Sequence, residues 1–191
     1  MTSSLSPRVK ELIVKARIVS FDGWQGEFGD DAIAHLKAAD DDRVYLDDAL
    51  LEPMPAGAIA GQLRDHASTL VDTARAQVLE QFPGITEPGG GLYPAVRAEA
   101  CWRDFWQFLR CITYGIAAQR TDYTSAIGLS YMEQLYQELQ VPLDAMVYGL
   151  ESLKTASKQQ LATLDMAVNA TQIDPYFNHL IQSLSQFQSV V

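Results

Sequence analysis

From Ile59 to Leu79 apolar side chains recur every three or four residues, through Leu63, Ala67, Leu70, Val71, Ala74 and Val78. That spacing marks one face of an α-helix and predicts a single long helix with a buried side. A chain with such a face must cover it with other elements, and nearly every other segment has the same helical period rather than the alternation of strands. Ser6-Pro7 opens a first amphipathic helix through Leu12, Ile13, Ala16, Val19 and Ser20, with Ser6 as N-cap and Pro7 at the first helical position. Gly23, Gly26 and Gly29 interrupt it, and a second helix is expected from about Asp30 to Ala39, closed by the acidic run Asp40-Asp41-Asp42.

The stretch from Phe82 to Gly91 is the most loop-like part of the chain, because Pro83, Pro88 and three successive glycines cannot propagate a helix. Beyond it lie a helix from Tyr93 to about Gln119, one from Asp122-Tyr123-Thr124 through Leu139, one opened by Pro142 and ending near Ser157, and a last one from Thr171 onward. Roughly seven or eight helices with short connections give an all-α fold.

With 191 residues and 48% hydrophobic content the chain can bury a core of one domain, with or without an N-terminal extension. A formal net charge of -10, with only 14 Lys and Arg, argues against nucleic acid and anionic membrane surfaces as partners. No run of about 18 apolar residues exists, and Met1 to Pro7 carries no apolar signal region. Neither integral membrane contact nor secretion is therefore expected, and a cytoplasmic location follows by default. Cys101 and Cys111 lie ten residues apart on one helix, about 15 Å by helical rise and beyond disulfide reach.

Cys101-Trp102-Arg103-Asp104 combines a thiol, a cation and a carboxylate within one helical turn, and spacings of four and three bring Arg97, Cys101 and Asp104 onto one face. Arg103 flanks that face. The set suits an anchored anionic ligand better than catalysis, since a nucleophilic cysteine would need a base or a lowered pKa. His66 could face a pocket, but a lone histidine there is more often a partly buried residue making one hydrogen bond. No catalytic residue and no metal ligand is assigned.

Three blocks, Ala67 to Ala76, Pro88-Gly89-Gly90-Gly91-Leu92-Tyr93 and Ala100 to Asp104, resemble the phycobiliproteins, especially their β-type subunits. The similarity continues through Leu109 to Tyr114, Gly128-Leu129 and Leu135-Tyr136, and more weakly to Tyr176-Phe177. The resemblance implies a globin-like helical bundle with an N-terminal helical extension, residues 1–30, used for subunit pairing, and a globin-like phycobiliprotein-type domain over 31–191. It also implies a linear tetrapyrrole, or bilin, such as phycocyanobilin. In that family the cysteine matching Cys101 forms a thioether to the pigment, the carboxylate matching Asp104 bonds the inner pyrrole nitrogens, and the arginines matching Arg103 and Arg97 meet propionates.

The chemistry is consistent: propionates want guanidinium partners that stay charged, and the central N-H groups want an ionised acceptor. Trp102, Phe105, Trp106 and Phe108 could build a dry aromatic wall. Gly91 replaces an asparagine of the β-type family, and there is no cysteine after Cys111, so at most one pigment is expected.

Two roles follow from the resemblance, a minor light-harvesting subunit or a bilin-handling member akin to the bilin-biosynthesis-associated globins. A pigment-free assembly or regulatory scaffold is the alternative, and an enzyme or haem protein is the least supported. The expected partners are phycobiliprotein-like subunits in a homo- or hetero-oligomer, which could place the chain at the thylakoid surface through an assembly. Ile13, Ala16, Ile18, Val19, Phe21 and Trp24 are candidates for the pairing face, or cover the chain's own core. On their bland readings Cys111 is a small buried hydrophobe, Arg110 is structural, Arg103 and Asp104 form a surface ion pair, the glycine loop is a flexible connection, and Asp40 to Asp42 is a solvated helix end.

Overall fold

The computed structural model describes residues 5–164 and 171–187. In chain order the helices are α1 (Pro7–Lys15), α2 (Gln25–Asp41), α3 (Asp48–Leu51), α4 (Gly57–Asp65), α5 (Ala67–Gln81), α6 (Ala95–Ala118), α7 (Ala126–Leu139), α8 (Leu143–Thr163) and α9 (Asp174–Ser185). Among the described residues the only β-type pairing is an isolated bridge between Val19 and Thr124, so the all-α expectation holds.

The architecture is built around α6. Every residue from Phe108 to Ala118 is buried, the mark of a helix covered on all sides rather than amphipathic. Helices α4, α5, α8 and α9 pack on it. Gly149 of α8 explains how closely two of these approach, because a Cβ there would lie 2.1 Å from Cζ of Phe105. Only a glycine lets the fully buried Phe105 ring rest on the α8 backbone.

The long helix expected from Ile59 to Leu79 is two helices. His66 sits between them at φ -105° and ψ 7°, and its ring Nδ1 lies 2.8 Å from the carbonyl oxygen of Gln62, the single hydrogen bond expected of it. The periodic face is continuous in sequence but serves two neighbours: α4 packs mainly on α6 and α5 mainly on α8. The first helix is also shorter than its pattern. Ser6 caps it, accepting from the Val9 amide at 3.1 Å, but it ends at Lys15.

Beyond Lys15 the chain runs extended across the start of α7. The Ser20 amide donates to the Tyr123 carbonyl at 2.8 Å and the Ser125 amide to the Ile18 carbonyl at 2.6 Å. Asp122 to Thr124, expected to open a helix, is thus a turn at Asp122 leading into the bridge at Thr124, and α7 starts after Ser125, whose hydroxyl accepts from the Gly128 amide at 3.0 Å. A Cβ at Gly128 would fall 1.6 Å from the Arg17 carbonyl oxygen, so the crossing needs glycine. Gly29, at φ 70°, breaks α2 where the second helix was expected to begin. At its other end α8 continues to Thr163, past the expected stop near Ser157.

Of the candidates for a pairing face, four take the alternative role, and one reading of the acidic run changes. Ile18, Val19, Phe21 and Trp24 are buried in the chain's own core, with Phe21 and Trp24 packed edge-to-face at 5.2 Å, while Ile13 and Ala16 are half-buried. Asp40 is not part of a solvated helix end. It is 6% exposed and is bonded by Arg110 at 2.8 Å and Arg17 at 2.7 Å. Arg110, structural as expected, also lies over the Tyr114 ring at 5.2 Å and donates to Gln107 at 2.7 Å.

Candidate functional site

The N-terminal half of α6 leaves the crowded core and carries the residues singled out in sequence. Proline and glycine upstream set its start. The segment before it is a succession of bonded turns, including Gly90 amide to Glu87 carbonyl at 2.8 Å and Leu92 amide to Ile85 carbonyl at 2.9 Å, a set loop rather than a flexible connection. Its Gly91 approaches Pro142 at the start of α8, where a Cβ would meet the proline ring at 3.3 Å.

Cys101 is 4% exposed. Burial pushes its thiol up to about 12, the Asp104 charge adds to this, and Arg97 opposes it. At neutral pH the sulfur is therefore a protonated thiol and a weak nucleophile. Asp104 is partly buried, and burial raises its carboxyl to about 6, against the lowering effects of Tyr136, Arg103 and Arg43. Arg103 is exposed and acts on Asp104 through its charge, rather than through the surface ion pair of the bland reading. The hydrogen bond to the carboxylate comes instead from α7: Tyr136 Oη donates to Asp104 Oδ2 at 2.8 Å.

Arg97 also reaches α7. Its Nη2 donates to the carbonyls of Leu139 and Gln140 at 2.7 and 2.9 Å, the free acceptors at that helix's C-terminal end. Of the four residues picked from sequence, Arg97, Cys101 and Asp104 are brought together and Arg103 stays on the outer side. The structure adds Tyr136, for which sequence reasoning assigned no role, although Leu135-Tyr136 lay within the recognisable stretch. Phe187 meets Tyr136 edge-on at 6.2 Å.

The aromatic residues divide. Trp102 stacks on Phe105 at 5.9 Å, and Phe105 meets Phe108 at 6.5 Å, giving one continuous row. Trp106 instead packs edge-to-face on Tyr45 at 4.6 Å and accepts that tyrosine's hydroxyl through its carbonyl at 3.1 Å, so the four rings do not form one wall. Arg75 of α5 lies over Trp102 at 5.5 Å. Phe187 also lines an open groove of about 510 Å³ between the C-terminal end of α5, α8 and α9, with Phe82, Val147, Tyr148 and Leu184.

A protonated thiol, a partly buried carboxylate bonded by one phenol and two guanidinium groups make a poor catalytic set and a good binding set. The carboxylate has Tyr136 as its one hydrogen-bond donor among the described residues, and Oδ1 has no donor among them. A partly enclosed carboxylate oxygen of this kind suits N-H donors. The donor set fits a ligand with central N-H groups and peripheral acids.

Residues 35–184 match the phycobilisome protein family. The chain is 35% identical over 127 residues to the allophycocyanin subunit alpha-B of Nostoc sp., covering 66% of this chain and 76% of that relative. It is 36% identical over 126 residues to the allophycocyanin alpha-B chain of Synechococcus sp., covering 66% and 75%. The allophycocyanin subunit beta-18 of Nostoc sp. matches at 32% over 127 residues, 66% of this chain and 75% of that one. Among solved structures, a far-red fluorescent biliprotein superposes with a TM-score of 0.63 at 28% identity, covering 68% of this chain and 95% of the other. It was derived from a far-red induced allophycocyanin F subunit of the thermophilic cyanobacterium Chroococcidiopsis thermalis.

Proposed function

The chain belongs to the phycobilisome protein family, and from that premise we propose that it carries a bilin, phycocyanobilin or a related linear tetrapyrrole, beside the N-terminal half of α6. The observation that carries this reading is the convergence of Cys101, Asp104 and Arg97 beside the end of α7. In the proposed arrangement Cys101 anchors the pigment through a thioether, Asp104 accepts from its central N-H groups, and Arg97 and Arg103 hold its propionates. The pigment supplies visible absorption. The protein's part is to keep the acceptor ionised, hold the pigment in one shape and exclude water from it.

The role is that of a pigment-carrying protein rather than an enzyme, either as a minor light-harvesting subunit or in bilin handling. The raised thiol pKa means that attachment at Cys101 needs either an activated pigment or help in deprotonation. Among the described residues no helix is long and apolar enough to cross a membrane. We place the protein in the cytoplasm, at the thylakoid surface when assembled. There it pairs with phycobiliprotein-like subunits through the extension of residues 1–30 ahead of the globin-like domain of residues 31–191.

The test is co-expression with phycocyanobilin biosynthesis, followed by visible absorption before and after acid-urea denaturation, alongside Cys101→Ala. A red-absorbing pigment that survives denaturation in the parent and not in the variant is expected. Colour lost on denaturation would mean non-covalent carriage, and a colourless protein would overturn the reading in favour of a pigment-free scaffold.

A further inference from the structure

We propose that Tyr136 is a positioning residue for the bilin, its hydroxyl holding one oxygen of Asp104 so that the other is presented to the pigment's N-H groups. The inference rests on the pigment reading above. Its geometric basis is the 2.8 Å bond from Tyr136 Oη to Asp104 Oδ2 and the burial of Tyr136, which is 4% exposed. Phe187 packs edge-on against the tyrosine ring, which limits the directions in which the hydroxyl can point. A carboxylate on a helix rotates about two side-chain bonds, and a single fixed donor removes most of that freedom.

The groups around Asp104 define what the hydroxyl does. On α6 itself stand Arg103 and Cys101, on α7 Tyr136, and from the segment after α2 Arg43. Burial opposes ionisation, while Tyr136, Arg103 and Arg43 favour it, Tyr136 most among the three. The phenol itself cannot share the negative charge by ionising, because burial and the nearby Asp104 and Cys101 push its own pKa well above the ordinary value. It is a permanent donor. Arg97 strengthens the arrangement by bonding the Leu139 and Gln140 carbonyls, which pins the last turn of α7 and with it the position of Tyr136.

Tyr136→Phe keeps the ring and its contact with Phe187 and removes only the donor. In the pigment-free protein, carbon-13 NMR follows the Asp104 carboxyl, assigned by its loss in Asp104→Asn. The variant should titrate roughly one pH unit higher than the parent, the effect of losing one hydrogen bond to a partly buried carboxylate. In the bilin-loaded protein the pH at which the red band bleaches should rise in parallel, with the far-ultraviolet circular dichroism unchanged. Parental midpoints in a coloured Tyr136→Phe protein would overturn the role of Tyr136 alone. A variant that takes up more pigment and absorbs further to the red would overturn it too, because the hydroxyl would then be competing for the carboxylate. A parent that stays colourless would overturn the pigment reading itself, and the NMR titration would still report whether the bond controls Asp104.

Discussion

Asp104 shows how one carboxylate responds to a site that has no countercharge in contact with it. Its folded-state pKa of about 6 lies above the ordinary 3.8, so the native pigment-free protein retains a proton that the unfolded chain has already released. Stability from this group is present below about pH 4 and is lost as pH rises towards 6. Asparagine cannot ionise and can still accept from Tyr136. Asp104→Asn should therefore match the parent near pH 4 and exceed it at pH 8 by about 2 kcal/mol, measured by urea unfolding of the pigment-free proteins. A constant difference across that range would remove Asp104 as the titrating group. Such destabilisation is expected where a residue is kept for binding rather than for folding.

Between elements, the most enclosed ion pair among the described residues is Asp40 with Arg110, joined by Arg17, which ties the end of α2 to the middle of α6 and to the extended segment after α1. The Asp40 and Arg110 side chains are 8% and 5% exposed, so removing one leaves the other charged and enclosed. Asp40→Ala should cost about 3 kcal/mol in urea unfolding, and Asp40→Leu with Arg110→Met should recover much of it, because breaking a buried pair costs more than replacing it. A loss under about 0.5 kcal/mol for Asp40→Ala would show instead that water reaches the pair, as it does in surface ion pairs. As a run of charge the acidic segment reads as a solvated helix end. Nothing in Asp40-Asp41-Asp42 alone separates the member that turns inward from its neighbours, since the partner lies 70 residues away in the chain.

At the scale of the whole molecule, apolar residues at the N-terminal end of the chain and on the helix beside it differ in burial. Ile18, Val19, Phe21 and Trp24 close the chain's own core, whereas Val14 on α1 and Ile127 on α7 remain 70% and 71% exposed on two helices packed together. If this end of the molecule serves the proposed pairing, sedimentation velocity at micromolar concentration should give a species heavier than the 21.1 kDa chain, and Val14→Lys with Ile127→Lys should return it to the monomer. A monomeric parent would rule the pairing out. Helical class, the loop before α6 and the face shared by Arg97, Cys101 and Asp104 were all legible in the sequence, because periodicity, proline and glycine act locally and a helix fixes spacing by itself. What the tertiary structure decided was where helices stop and which side chains meet. His66 divides a continuous periodic face because its two halves pack on different helices. Val19 and Thr124 leave helical patterns to pair with each other. Tyr136 finds Asp104 only when α7 is laid beside α6. Each of these is set by contacts between residues distant in the chain, whose energy no local pattern records.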